Sequence, residues 1–167
     1  MLAFTDVQYE TDHATAACVL ARAWSDSSPA HRLVERVSPI APYVPGEFYK
    51  RELPCVLAVL KRAQAVAPLE GVVIDGYVVL DRAGTPGLGA KLYEALGRTV
   101  PVIGVAKTAY RGSEMALALP RPGSLKPLYV TSIGVEPTEA LAKLGQLHGP
   151  HRLPTLIKAV DSLARGR

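Results

Sequence analysis

The sequence of 167 residues has little cysteine, no long apolar run and no extended polar stretch, and each absence excludes a class of protein. Its two cysteines, Cys18 and Cys55, lack the paired spacing of a zinc site, and we expect them to be buried free thiols. No run reaches the roughly 18 apolar residues of a membrane-spanning helix, and the N-terminus lacks the basic and apolar regions of a signal peptide. We therefore expect a soluble cytoplasmic protein that binds no membrane.

The composition is that of a globular chain with a modest positive charge. Hydrophobic residues make up 49% of the sequence and charged residues 20%, a balance that argues against disorder, and the length fits one domain over residues 1–167. The net charge of +4 fits a polyanionic partner, because Lys and Arg release the counterions condensed on phosphates. The basic residues are spread along the chain, however, as on an ordinary solvated surface, so charge alone favours nucleic acid only weakly.

The order of predicted elements indicates an α/β fold. Apolar patterning predicts three strands joined by short links, then alternating helices and strands, then two more helices. The predicted strands cover residues 2–9, 14–24, 31–39, 71–76, 100–107 and 127–133. The predicted helices cover 53–66, 137–147 and 153–166, and residues 84–98 are predicted to be a glycine-rich loop that leads into a further helix. This order predicts a mixed sheet, with an antiparallel three-strand meander plus parallel βαβ strands, and flanking helices. In the ribonuclease H-like arrangement of such elements, the first strand lies beside the fourth, which makes Asp6 and Asp75 neighbours.

Three carboxylates are candidates for a metal site. Asp6 lies inside an apolar strand and Asp75 closes another, so each is ionisable where the pattern predicts burial or a site. An edge-strand charge at Asp6 and a turn residue ahead of Gly76 are equally consistent with the pattern. Glu52 is the third candidate, although a first-turn Glu favoured by the helix dipole is the simpler interpretation. Converging carboxylates would suit Mg²⁺, with Mn²⁺ as an alternative, and phosphoryl transfer, but the spacing does not show convergence.

Other residues have chemical potential and an equally simple structural explanation. Lys107 ends a strand where open α/β sheets place ligands, and it either contacts a phosphate or is a solvated strand-end lysine. Asp161 lies on the last predicted helix, and the pattern by itself predicts a surface residue there. The segment PYVPG holds Tyr43 on a stiff backbone between two prolines, so the ring is either a wedge that enters a base stack or a hydrophobic plug on the core. The glycine-rich GTPGLGAK lacks the spacing of a P-loop.

Six blocks of sequence resemble the endonuclease V family. In chain order they are DVQY, PYVPGEFYKRE, VVIDG, PVIGVAK, KPLYVTS and HRLPTLIKAVD, and they extend from residue 4 to about residue 164. The resemblance implies a ribonuclease H-like fold and Mg²⁺-dependent hydrolysis of a phosphodiester one nucleotide removed from a deaminated base, hypoxanthine in inosine or deoxyinosine. It therefore implies a nucleic-acid repair enzyme acting on DNA or RNA, which we expect to be a monomer.

The resemblance also implies roles for individual residues. It assigns four acids to the metal site and the active site, namely Asp6, Glu52, Asp75 and Asp161, and it matches Lys107 to the catalytic-site lysine. Tyr43 falls at the wedge position, beside Pro45. Gly46, Gly76 and Gly104 are matched to loops that surround the extruded base.

Two segments depart from the family pattern. After Asp75 and Gly76 the family usually continues Gly-Ile-Ala-His-Pro-Arg, whereas this chain has YVVLDRAGTPGLGAK, with Asp81 in the register of the His. The usual Pro-Gly-His block is replaced by Ile133, Gly134 and Val135. Three hypotheses therefore stay open: an active Mg²⁺ or Mn²⁺ nuclease, a non-catalytic or differently specific nucleic-acid binder, and a small-molecule enzyme or interaction module that uses only the scaffold.

Overall fold

A computed structural model describes residues 1–167 as a seven-stranded mixed sheet with helices on both faces. The strands are β1 (Leu2–Tyr9), β2 (Ala14–Ala21), β3 (His31–Val37), β4 (Gly71–Asp75), β5 (Val102–Ala106), β6 (Leu117–Leu119) and β7 (Leu128–Ile133). The helices are α1 (Phe48–Val66), α2 (Leu88–Ala95), α3 (Pro137–Gly145) and α4 (Thr155–Ala164). The strand order in the sheet is β3-β2-β1-β4-β5-β7-β6.

The pairing of the strands confirms the predicted topology. β1, β2 and β3 form the antiparallel meander, and β1 lies parallel to β4, which in turn lies parallel to β5. In the β1–β4 register Thr5 lies opposite Ile74. Asp6 and Asp75 are the residues that follow, so they lie side by side where the pairing of β1 with β4 ends.

Each face of the sheet carries its own core, and the period-two alternation decides which residues face which helices. Ala3, Val72 and Ile74 belong to the core that includes the buried face of α1, with Cys55, Val56, Val59, Leu60 and Ala63. Phe4 and Val73 belong to the opposite core, with Leu156, Val160 and Ala164 of α4. Asp6 lies two positions after Phe4, and Asp75 lies two positions after Val73. Both acids therefore face α4.

Helix α1 begins at Phe48, earlier than the prediction of residue 53. Pro54 was placed in the first turn of the predicted helix, whereas it lies inside the observed one. A helix accepts an interior proline at the loss of one backbone hydrogen bond, and Pro54 is on the exposed side. The earlier start moves Glu52 from the predicted beginning of the helix into its second turn.

Strand β6 is absent from the predicted elements, none of which lies between residues 107 and 127. Three residues are too few to show an alternating pattern, and β6 forms only by pairing with β7 at the sheet edge.

Cys18 and Cys55 are free and buried, as predicted. None of the helices is both long enough and apolar enough to cross a bilayer.

Candidate active site at the carboxyl edge of the sheet

Three charged side chains meet at the edge where β4 and β5 end and where β1 ceases to pair with β4. Lys107 Nζ lies 2.9 Å from Asp75 Oδ2, and the two side chains are 37% and 38% exposed. Asp6 accepts a hydrogen bond from the Val7 backbone N–H at 2.9 Å. The side chains of Asp6, Asp75 and Lys107 line one narrow cavity. This arrangement follows from the strand order, because adjacent parallel strands end at the same edge of a sheet.

Asp161 reaches the same cavity from α4. The helix is fixed to the sheet by the buried side chains of Leu156, Val160 and Ala164, and Asp161 lines the cavity beside Val160. Arg165 pairs with it one turn later, with Nη2 3.3 Å from Oδ1. Asp161 therefore lies at the acidic edge, with its side chain 26% exposed.

Glu52 approaches the edge from the opposite face of the sheet, on α1. Its side chain is buried at 6% exposure. Burial, followed by the nearby charges of Asp75 and Asp6, raises the pKa of Glu52 to about 8. The sequence therefore brings carboxyl groups to one edge from two strands and from both helical layers.

Burial and the mutual repulsion of the acids both disfavour ionised carboxylates at this edge. Burial is the largest cause of a raised pKa at Asp6, and the charges of Asp75 and Asp161 raise it further, against the lowering effects of the Val7 hydrogen bond and Lys107. For Lys107, burial lowers the pKa but is outweighed by the hydrogen bond to Asp75 and the charges of the acids, so its pKa is raised overall. Lys107 and Arg165 thus stand against four carboxyl groups, so acidic groups outnumber basic ones at this edge.

The carboxylates of this edge have the chemistry to bind a divalent cation, although they are not close enough together to form a complete set of metal ligands. No three His, Cys, Asp or Glu side chains lie close enough together to hold a metal ion as they stand. The donor set is nevertheless entirely carboxylate oxygen, which hard cations prefer. A cation would offset the burial and the repulsion that together raise the pKa values of Asp6 and Glu52.

A second and wider cavity, here called the aromatic cleft, opens beside Asp75. It has a volume of about 500 Å³ and lies between the end of the PYVPG segment and the chain that follows Asp75. Its lining comprises Gly46, Phe48, Tyr49, Asp75, Gly76, Tyr77, Leu80, Thr85, Pro86, Gly87, Leu88, Lys91 and Tyr110. Because Asp75 belongs to both cavities, a ligand in the cleft would lie next to the acidic edge.

The predicted wedge residue is accessible. Tyr43 is 60% exposed and its neighbour Val44 is 44% exposed, so this segment does not plug the core. Gly46 ends the segment with φ of +79° and lines the aromatic cleft, and Gly76 begins the turn after Asp75 with φ of +121°. Both glycines adopt backbone conformations that other residues rarely take.

Gly104 does not lie on a loop, contrary to the expectation from the family resemblance. It lies inside β5, where a Cβ would stand 2.4 Å from the Gly76 carbonyl oxygen and 2.9 Å from Thr131 Oγ1. The same Thr131 oxygen accepts a hydrogen bond from the Val78 backbone N–H at 2.8 Å. Gly104 therefore acts by letting the chain after Asp75 cross closely over the sheet.

Asp81 occupies the sequence position of the family's His. Its side chain is hydrogen-bonded within the turn formed by residues 81–85. Its carboxylate accepts hydrogen bonds from the Thr85 hydroxyl at 2.6 Å and from the Thr85 backbone N–H at 3.1 Å. These bonds hold the pKa of Asp81 below its ordinary value. Asp81 does not line the aromatic cleft.

Several residues of this region were missed from the sequence. Tyr49, Tyr77, Lys91 and Tyr110 line the aromatic cleft, and their only sequence signal is that the first two lie close to the blocks PYVPG and VVIDG. Arg152 donates hydrogen bonds to the carbonyl oxygens of Lys107 and Pro127, and so fixes the backbone that carries the site lysine. The sequence feature that points to Arg152 is the Arg-Leu-Pro block at residues 152–154. That block does not indicate which groups the guanidinium contacts.

The sheet topology, with Asp6 and Asp75 side by side on β1 and β4, defines a ribonuclease H-like fold with an acidic edge. The model of the Endonuclease V family matches residues 1–161, and the chain belongs to this family. An endonuclease V from Streptomyces avermitilis is 33% identical over 184 residues, which cover 96% of this chain and 77% of that protein.

Solved structures of the family share the fold. Human endonuclease V superimposes with a TM-score of 0.78 at 22% identity, covering 99% of this chain and 82% of that one. The Streptomyces avermitilis structure gives 0.77 at 28% identity, with 99% and 79% covered. Endonuclease V of Ciona intestinalis, in complex with a 24mer DNA containing an inosine followed by a ribo-adenosine, gives 0.78 at 18% identity, with 99% and 84% covered.

Proposed function

We propose that this protein is a metal-dependent endonuclease that cleaves a phosphodiester near a deaminated base, inosine or deoxyinosine, in DNA or RNA, as part of nucleic-acid repair. The observation that carries the proposal is the meeting of Asp6, Glu52, Asp75 and Asp161 at one sheet edge, next to a cleft of about 500 Å³. Membership of the Endonuclease V family supports the nuclease class, and the inosine-containing DNA held by the Ciona relative supports the substrate.

The four acids would hold the metal, which we propose is Mg²⁺ or Mn²⁺. A divalent cation in such a site activates water and stabilises the leaving oxygen. Lys107 is positioned by its ion pair with Asp75 and remains 37% exposed, so its ammonium group is available to a phosphate at the same edge. Its role is to bind the phosphate as a point charge and to hold Asp75 in place.

The aromatic cleft would hold the base. Its volume lies within the range of small-molecule sites and exceeds what a nucleobase needs. Enzymes that act on one nucleotide of a duplex turn its base out of the stack and fill the gap with a side chain. Tyr43 is exposed on a stiff segment whose last residue, Gly46, lines the cleft, so its ring is placed for that task.

The test is cleavage of oligonucleotides that carry one inosine. Single-stranded and duplex DNA and RNA would be incubated with purified protein in Mg²⁺, Mn²⁺ or EDTA, each beside a matched oligonucleotide with adenine in place of hypoxanthine. We expect cleavage at one position near the inosine in at least one metal, and none in EDTA or in the adenine control. Intact inosine substrates in both metals would refute the proposal.

A second candidate function is a nucleic-acid binder that is non-catalytic or has another base specificity. The hydrogen bonds between Asp81 and Thr85 favour it, because the position of the family's His is committed to a turn. This candidate predicts salt-sensitive oligonucleotide binding without inosine-dependent cleavage. The small-molecule hypothesis receives no support from a family of nucleases.

A further inference from the structure

Lys91 places an uncompensated positive charge in the aromatic cleft. It lies on α2, lines the cleft, and holds its ammonium nitrogen 5.0 Å from the ring centroid of Tyr49. Three of the chain's lysines are partly buried, namely Lys91, Lys107 and Lys143. Lys107 pairs with Asp75 and Lys143 with Glu139, whereas Lys91 has no carboxylate partner.

The other polar side chains of the cleft either have a hydrogen-bond or ion-pair partner already or can both donate and accept a hydrogen bond. The Tyr77 hydroxyl donates to the Thr108 carbonyl oxygen at 2.7 Å, and the Thr85 hydroxyl donates to Asp81. Asp75, which is the only carboxylate in the lining, is paired with Lys107. The hydroxyls of Tyr49 and Tyr110 can either donate or accept. Among the side chains of the cleft, Lys91 is therefore the one that can only donate and has no hydrogen-bond acceptor.

We propose that Lys91 determines base specificity by donating a hydrogen bond from its ammonium group to a carbonyl oxygen of the base in the aromatic cleft. The inference rests on the proposed function, since it requires a base to occupy the cleft. It implies that keto bases such as hypoxanthine, xanthine and uracil are accepted and that adenine is disfavoured, because an exocyclic amino group would direct a donor at the lysine. A site built around a hydrogen bond rejects an analogue that lacks the partner atom.

Binding to matched bases tests this role directly. Oligonucleotides would carry either hypoxanthine or unsubstituted purine, which lacks the carbonyl oxygen, at one position. Fluorescence anisotropy in Ca²⁺ would give their affinities for the wild-type protein, Lys91→Met, Lys91→Arg and the exposed-lysine control Lys61→Met. We expect the wild type and Lys61→Met to bind hypoxanthine about tenfold more tightly than purine. Lys91→Met should bind the two within about twofold, and Lys91→Arg should recover part of the preference.

Two results would overturn the role of Lys91: a wild type that binds both bases equally, or a hypoxanthine preference that survives in a folded Lys91→Met variant. Because the readout is binding, it separates this inference from the proposed nuclease activity. A preference that depends on Lys91 in a protein that cleaves nothing would support the inference and refute the nuclease. Inosine-specific cleavage by the wild type, with an unchanged preference for hypoxanthine in Lys91→Met, would support the nuclease and refute the role of Lys91.

Discussion

Glu52 is the residue at which folding and function conflict most strongly. A carboxyl group that is 6% exposed and lies near two other acids is costly to ionise, and this cost raises its pKa. A cation bound at the edge would remove the cost. The residue therefore links the stability of the metal-free protein to pH, and the stability of the metal-bound protein to metal concentration.

We predict that Glu52→Gln stabilises the metal-free protein at alkaline pH. The folded pKa of about 8 lies above the ordinary value of 4.5, so folding favours the protonated form. The stability associated with that form is complete below about pH 4.5 and is lost as the pH rises through 8. Urea denaturation in EDTA should show Glu52→Gln more stable than wild type at pH 8 by about 2 kcal/mol or more, and by less at pH 5.

The control for this prediction is Glu114→Gln, which removes an exposed carboxylate elsewhere on the surface. Its unfolding free energy should follow that of the wild type at both pH values. If the profiles of Glu52→Gln and wild type run parallel from pH 5 to pH 8, Glu52 is not the strained carboxyl described above.

Lys107 should matter for activity far more than for stability. Its ion pair with Asp75 joins side chains that are 37% and 38% exposed, and solvent screening limits such a pair to about 1 kcal/mol or less. We predict that Lys107→Met lowers the single-turnover cleavage rate by about 100-fold or more, because a positive charge beside the phosphate is lost.

The midpoint of thermal unfolding should change little in the same Lys107→Met variant, and Lys126→Met, at an exposed position, should leave both quantities near wild type. A Lys107→Met variant that cleaves at the wild-type rate would remove this residue from the site.

The elements explain which parts of the site were predictable from sequence. The placement of Asp6 beside Asp75 was predictable, because the meander followed by a βαβ pattern fits the ribonuclease H-like arrangement, in which the first and fourth strands are neighbours. The approach of Glu52 and Asp161 from opposite faces was not. Spacing along the chain does not show which way a helix is turned on a sheet, and only the family resemblance connected these two residues with the strand acids.

The crossing at Gly104 is an element-scale feature that mutation can test. We predict that Gly104→Ala destabilises the fold by roughly 1–3 kcal/mol and lowers cleavage, because the new methyl group would overlap the Gly76 carbonyl oxygen and push the chain after Asp75 outward. Gly145→Ala is the matched control, since a Cβ at that position meets nothing within 4 Å.

Urea denaturation and the cleavage rate of both glycine variants measure this effect. Gly145→Ala should be neutral or slightly stabilising. Equal stability and activity in the two variants would mean that the chain after Asp75 does not depend on the close approach at Gly104.

At the scale of the whole molecule, sequence predicted the fold class better than it predicted specificity. Strand alternation and helical spacing determined the layers, but the aromatic cleft is assembled from residues of α1, the turn after β4, α2 and the loop after β5. Residues so far apart in the chain form no local pattern. Lys91 and Tyr110 could therefore be recognised as neighbours of Asp75 only in three dimensions.

The central claim is that Asp75 and the acids around it cleave nucleic acid beside a deaminated base. Its most direct test is the single-turnover cleavage of an inosine-containing oligonucleotide in Mg²⁺ or Mn²⁺ by wild type, Asp75→Asn and the exposed control Asp12→Asn. We predict that Asp75→Asn is slower by about 1,000-fold while its thermal unfolding stays close to wild type, and that Asp12→Asn cleaves normally. Cleavage by Asp75→Asn at a rate near that of the wild type would contradict the account.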